Sequence, residues 1–341
     1  MALIQGVTGN VENNFTVELR GQAPFTRKSH PLLHVPAAAA AARRRRAGDA
    51  RMDLAGSYHL ITGAGRGIGR ALATGLAARG AAGVALVDVS TPTIAAQAAA
   101  AAATHADFQA LPIAADVSSR DGVRAAIASA LDAFDGRMDG LISNAGVAAM
   151  ADPRAEFSAV SETASTWAAS MNVNCMAHVW AAEAIVPHFE QSPTGGAFVS
   201  IVSAAGLLTQ VGAPSYSVSK AAAFAFSTSL SVHHGDRGVR VHCVCPQAVA
   251  TSLVGLSSED PHAPIPQDAV AGGAADGVIS PQAVAAATLD AMESGQFLVL
   301  PHAQVQSYVQ MRMAAPDKWL RGMRKLRDAI RAGKTPLVQG S

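Results

Sequence analysis

Two side chains define the chemistry open to this sequence. Tyr216 and Lys220 are four residues apart in a stretch that reads as the start of a helix, so their side chains share one face. A phenol with its ordinary pKa of about 10 is a poor base near neutrality. A neighbouring ammonium favours the phenolate and lowers that value. The tyrosine could then accept a proton from an alcohol or give one to a carbonyl. Standing alone, such a pair is more often an ordinary helix-surface contact, so its meaning depends on its surroundings.

A second constellation is Thr62-Gly63-Ala64-Gly65-Arg66-Gly67-Ile68-Gly69. Glycines here permit positive φ and close approach of a ligand to the backbone. The helix that follows offers free N–H groups and the positive end of its dipole to a pyrophosphate. A tight strand–helix turn could use the same glycines, and the spacing of Gly63, Gly67 and Gly69 is not the common G-x-G-x-x-G. Asp88 strengthens the reading, because it lies nineteen residues after Gly69 at the end of the next predicted strand. A carboxylate there can accept hydrogen bonds from ribose hydroxyls and would repel a 2′-phosphate, which favours NAD over NADP.

The elements that must hold these groups alternate. Short apolar runs at 58–62, 84–88, 108–114, 140–143, 197–202, 239–244 and 297–301 read as strands. Segments 67–79, 93–104, 119–134, 163–189, 215–234 and 281–293 have helical spacing. Strands that are apolar throughout imply a parallel sheet covered on both faces. Right-handed crossovers then give a doubly wound topology. The expected fold is α/β: a single Rossmann-type domain over residues 52–302 with a seven-stranded parallel sheet.

Residues 56–301 resemble the short-chain dehydrogenase/reductase family, over about three quarters of the chain. The glycine spacing is that family's, and Tyr216-Ser217-Val218-Ser219-Lys220 is similar to its Tyr-x-x-x-Lys. Asn144-Ala145-Gly146 resembles its sheet-supporting motif, and Asp116-Val117 its adenine-contacting pair. Ser203, thirteen residues before Tyr216, stands where the family has its catalytic serine. Asn174, seven residues after Trp167, stands where the family has its catalytic asparagine, with Asn172 a second candidate. The resemblance implies a catalytic set of Asn174, Ser203, Tyr216 and Lys220. It also implies that Gly63, Arg66, Gly67, Ile68, Gly69, Asp88, Asp116, Val117, Asn144, Ala145, Gly146, Tyr216, Lys220, Pro246 and Thr251 line the NAD site. Ser203 would stabilise charge developing on the substrate oxygen. Asn174 would hold a water linking Lys220 to solvent, and Lys220 would contact the nicotinamide ribose.

The match has departures. Where the family usually has Pro-Gly, this chain has Pro246-Gln247. Thr251, five residues past Pro246, keeps the position that contacts the nicotinamide carboxamide. Cys243 and Cys245 alternate along a strand and are expected on opposite faces, so no metal is expected.

Composition bounds the rest. The chain has 341 residues, half of them apolar, with a net charge of +1. That charge gives no reason to invoke nucleic acid, and no apolar stretch is long enough to span a membrane. Three cysteines suit a reducing compartment, and a cytoplasmic location is expected. Residues 1–51 hold eight Lys/Arg against three Asp/Glu, residues 52–311 ten against twenty, and residues 312–334 eight against two. The first 51 residues lack periodicity, and their alanine run precedes Arg43–Arg46, so they read as a disordered extension. Met52, just before the first structured segment, is an alternative translation start. The long Gly/Pro/Ala-rich stretch 251–279 reads as a lid over an apolar or modest-sized substrate. Residues 303–341 read as a basic helical tail with Trp319, Leu320, Met323, Leu326 and Ile330 on one face, expected to pack on the domain or a subunit neighbour, with binding to a membrane surface as the lesser alternative. The expected partners are an alcohol or ketone and further copies of the chain, as homodimer or homotetramer through helices 163–189 and 215–234; membrane contact is not expected. A non-catalytic NAD-binding sensor is the rival reading. An NADPH reductase would need a basic residue after the second strand, where Val89, Ser90 and Thr91 stand instead.

Overall fold

The computed structural model describes residues 51–102, 108–148, 158–251, 253 and 277–333. The strands are β1 (Tyr58–Thr62), β2 (Gly83–Asp88), β3 (Gln109–Ala114), β4 (Gly140–Ser143), β5 (Gly196–Ile201), β6 (Val239–Val244) and β7 (Leu298–Val299). They form one parallel sheet in the order β3-β2-β1-β4-β5-β6-β7. The winding direction reverses between β1 and β4, which opens a crevice at the carboxyl ends of those strands.

Helices cover both faces, as uninterrupted apolar strands require. They are α1 (Gly67–Ala78), α2 (Thr91–Ala102), α3 (Arg120–Ala133), α4 (Ala164–Met171), α5 (Ala177–Gln191), α6 (Ala204–Leu208), α7 (Pro214–His234) and α8 (Pro281–Ser294). Two more, α9 (Gln304–Ala314) and α10 (Pro316–Arg331), follow β7. Successive strand residues point to opposite faces. Ile61 and Val199 therefore join Leu72 and Leu76 of α1 and Leu289 and Met292 of α8 on one side. Leu60 and Phe198 join Ile127 of α3, Ile185 and Phe189 of α5, and Leu230 of α7 on the other. Each such buried Leu, Ile or Phe contributes about 1.5–3 kcal/mol. Ser119, Thr163 and Ser280 accept backbone N–H bonds at the starts of α3, α4 and α8, which closes three helix ends that would otherwise hold open donors.

Three differences from the sequence reading have local causes. The helix expected over 163–189 is interrupted by a π-helical turn at Asn172–Met176, an inserted residue that apolar periodicity does not reveal. The last strand shortens from 297–301 to Leu298–Val299, because Pro301 has no N–H to add to a ladder. The tail breaks at Ala315, which is extended (φ −146°, ψ 70°). Its neighbour Pro316 disfavours helical geometry there. The extension expected over 1–51 lies outside the described residues apart from Arg51. The lid expected over 251–279 lies outside them apart from Thr251, Leu253 and 277–279.

Candidate active site

The glycine loop joins β1 to α1 at the mouth of the crevice. Gly63 and Gly67 have positive φ (64° and 55°), a conformation that side chains disfavour. A Cβ on Gly69 would lie 2.2 Å from the Gly63 carbonyl oxygen, so only glycine lets α1 start this close to the loop. Arg66, the exposed N-cap of α1, makes no side-chain cap, and the first turn holds no acidic residue. The helix N-terminus thus presents open N–H donors and positive dipole, with Ile68 half-buried behind it.

Asp88 closes the neighbouring corner. Its Oδ2 accepts the Gly65 N–H at 3.0 Å and its Oδ1 the Val89 N–H at 2.8 Å. Each oxygen keeps a further acceptor site. Opposite, Asn144 Nδ2 donates to the Thr62 and Gly63 carbonyls at 2.8 and 3.0 Å. The Thr62 hydroxyl accepts the N–H groups of Asn144 and Ala145. Asn144-Ala145-Gly146 thereby ties the end of β4 to the end of β1. Asp116 spends both carboxylate oxygens on Ser118, at 2.8 Å each, while Val117 is buried in the core. A dinucleotide fits this lining: open N–H groups suit its pyrophosphate and the Asp88 carboxylate suits a ribose.

The chemistry-bearing side chains converge from three elements. Ser203 lies two residues past β5 and caps α6, its Oγ accepting the Ala205 N–H at 3.1 Å. Tyr216 and Lys220 sit in the first two turns of α7, both buried. Lys220 Nζ lies 5.9 Å from the Tyr216 ring centroid and donates to the Ile201 carbonyl at 2.9 Å. Asn174 comes from the π-helical turn. Its Oδ1 accepts the Val147 N–H at 2.9 Å, and its Nδ2 donates to the Val147 carbonyl at 2.8 Å and to Ser219 Oγ at 3.1 Å. A Cβ on Gly146 would lie 3.4 Å from Asn174 Oδ1 and 3.6 Å from Lys220 Nζ, so the bare glycine brings those two groups to one opening.

The electrostatics correct one expectation. Burial pushes the Tyr216 phenol above its ordinary value, and the Ser203 hydroxyl bonded to it pulls the other way. The sequence pointed to a phenol lowered by Lys220. Desolvation is the largest cause of the shift, and Lys220 is not among those that lower it. Burial also pulls the Lys220 ammonium down to about 8. The cysteines correct another. Cys243 and Cys245 lie two residues apart, and strand side chains repeat every two residues, so they share a face with their sulfurs 4.0 Å apart. Burial raises the Cys175 thiol, leaving it an inert neighbour.

Several supports have no motif. Glu162 Oε2 accepts the Ser215 N–H at 3.0 Å and so caps α7 one residue before Tyr216. His302, 3% exposed, accepts the Gln247 N–H on Nδ1 at 3.1 Å and donates from Nε2 to the Ala248 carbonyl at 3.1 Å. It clamps the turn in which Gln247 replaces glycine. The carbonyl of Pro246 in that turn accepts the Ala204 N–H at 2.8 Å. Thr251 reaches back over the glycine loop, where a Cβ on Gly67 would lie 3.1 Å from its Cγ2. The ends of the 251–279 stretch are joined by Val249 pairing with Ile279.

A sequence model of the short chain dehydrogenase family matches residues 58–262. Levodione reductase from Leifsonia aquatica is 31% identical over 207 residues, 60% of this chain and 74% of that protein. A short chain dehydrogenase/reductase from Burkholderia phymatum, solved in complex with NAD, superposes with a TM-score of 0.65 at 26% identity, over 77% of this chain and 95% of that one. A short-chain dehydrogenase from Sphingobium yanoikuyae, solved with NADPH, gives 0.61 at 27% identity over 79% and 95%. With a family match over more than half its length and a superposable fold, the chain belongs to the short chain dehydrogenase family.

Proposed function

We propose that this oxidoreductase exchanges a hydride between NAD(H) and a secondary alcohol or ketone, with Tyr216 as the general acid/base. The observation that supports this most is the convergence of Ser203, Tyr216, Lys220 and Asn174 beside a crevice whose rim holds open helix N–H groups and Asp88. When bound, the dinucleotide supplies the hydride acceptor or donor, and its oxidised ring adds positive charge. In the oxidative direction Tyr216 Oη takes the alcohol proton as charge builds on that oxygen, and Ser203 Oγ donates a hydrogen bond to the same oxygen. Lys220 keeps one N–H on the Ile201 carbonyl. Its remaining donors serve the cofactor's ribose and a water held by Asn174, which returns the proton to solvent.

Asp88 is the basis for choosing NAD, since its carboxylate accepts ribose hydroxyls and repels a 2′-phosphate. One observation favours the second reading, an NADPH-dependent reductase: the exposed Arg66 guanidinium beside the loop could pair with that phosphate. Oligomers form, in this reading, through α7, whose exposed residues include Val218 (49% exposed), Ala221, Ala225 and Val232 (73%). Three buried free cysteines fit a cytoplasmic location. The test is a panel of secondary alcohols with NAD, followed by NADH absorbance. Turnover with NAD exceeding that with NADP supports the reading. Cofactor binding without turnover of any alcohol or ketone would overturn it in favour of a redox sensor.

A further inference from the structure

We propose that α10 docks on an anionic lipid surface, with its apolar stripe facing the bilayer and its flanking cations on the headgroups. The segment lies beyond residues 58–262, the part that matches the family. The sequence suggested a tail packed on the domain or on a subunit neighbour. Within one protomer none of the sixteen residues of α10 is fully buried, and Trp319, Met323 and Ile330 are half-buried. At one end Trp319 lies 6.3 Å from Tyr308 of α9 between ring centroids and packs toward Leu208 of α6 and Val305. Beyond that anchor Leu320 is 49% and Leu326 39% exposed, and Met311 and Met313 of α9 are 50% and 77% exposed.

The charge pattern selects the occupant. Trp319, Met323, Leu326 and Ile330 follow a spacing of four, three and four residues, with Leu320 at their edge. They form one stripe along a helix about 24 Å long. Arg324 and Arg331 border the stripe on one side, and Arg321, Lys325 and Lys318 continue around the polar face. Long cationic side chains there can reach a plane of anionic headgroups while the stripe enters the interfacial region. Residues 312–334 hold eight Lys/Arg against two Asp/Glu, and one of those acids, Asp328, pairs with Arg327 on the same helix.

Docking on a second copy is the competing outcome: Asp290 and Glu293 are paired with Arg79, Glu183 with Arg120, and Glu190 with His234 and Arg237, while Asp121, Asp132, Asp135 and Asp236 are exposed. The α7 face proposed for subunit contact contains no acidic residue.

The test is co-sedimentation of the full chain with phosphatidylcholine vesicles and with phosphatidylcholine/phosphatidylglycerol vesicles. We expect at least about tenfold more binding to the anionic vesicles, lost in high salt. Leu320→Asp/Leu326→Asp should abolish it, and Arg324→Gln/Lys325→Gln/Arg331→Gln should weaken it in proportion to charge removed. Both variants should keep wild-type turnover in free solution and wild-type helicity, which separates loss of docking from misfolding or failure of the dehydrogenase reading. No preference for anionic vesicles, or unaltered binding by the leucine variant, overturns the proposal. A variant that changes sedimentation without lipid overturns it too, by assigning the face to subunit contact.

Discussion

Removing the Asp88 carboxylate tests cofactor choice at its physical root. In the structure the group accepts backbone N–H bonds from Gly65 at 3.0 Å and Val89 at 2.8 Å. Asp88→Ala therefore removes two loop tethers as well as the ribose acceptor. Asp88→Asn is the cleaner perturbation, since its carbonyl oxygen keeps one tether while the charge disappears. A hydrogen bond to a charged group is worth about 1.5–3 kcal/mol, so losing the ribose bonds should weaken NADH by roughly ten- to 150-fold. Asp88→Asn should fall at the low end and Asp88→Ala at the high end, because the alanine also frees Gly65 and Val89. Both should narrow the NAD/NADP preference, because the repulsion of a 2′-phosphate goes with the charge. Titrating NADH and NADPH into the wild type and both variants by quenching of protein fluorescence measures all six dissociation constants. Wild-type protein that binds NADPH more tightly than NADH, or an Asp88→Asn variant with unchanged affinity for both, would refute the reasoning.

Other expectations follow from the same geometry. Tyr216→Phe deletes one oxygen and keeps the ring against Ala205 and Ala213; turnover should fall about 10²–10⁴-fold with NADH affinity and melting temperature preserved, as single-turnover kinetics and thermal unfolding would show. Ser203→Ala should slow turnover with little effect on NADH binding. Lys220 has a folded-state pKa lowered from 10.5 to about 8, so the unfolded chain binds more protons between those values and stability rises with pH across that window. Lys220→Met should abolish that rise; denaturant titrations of both proteins from pH 7 to 11 check it, and parallel pH dependences would contradict the burial argument. Ala225→Arg on the exposed face of α7 should shift the sedimentation coefficient toward that of a monomer.

Much of the scaffold was legible because its determinants are local. Strands Tyr58–Thr62, Gly140–Ser143 and Val239–Val244 appear at the limits their mainly apolar runs imply, since a strand covered on both faces reads as a near-continuous apolar run. The glycine loop was legible for a similar reason: positive φ and close helix packing admit few residues other than glycine. The spacing of Tyr216 and Lys220 fixes them to one helical face wherever that helix lies.

What the tertiary structure decided involves groups far apart in the chain. Asn174 meets Val147 across 27 residues, Glu162 meets Ser215 across 53, and His302 meets Gln247 across 55. None of these pairs leaves a periodic trace, because each is made when separate βα units pack side by side. The direction of the Tyr216 shift was decided in the same way. Sequence placed an ammonium near a phenol, which argues for a lowered pKa, but the depth of burial around Tyr216 is set by α6, α7 and the loop after β4 together. Desolvation depends on everything that excludes water, whereas spacing along one helix reports only two of the groups involved.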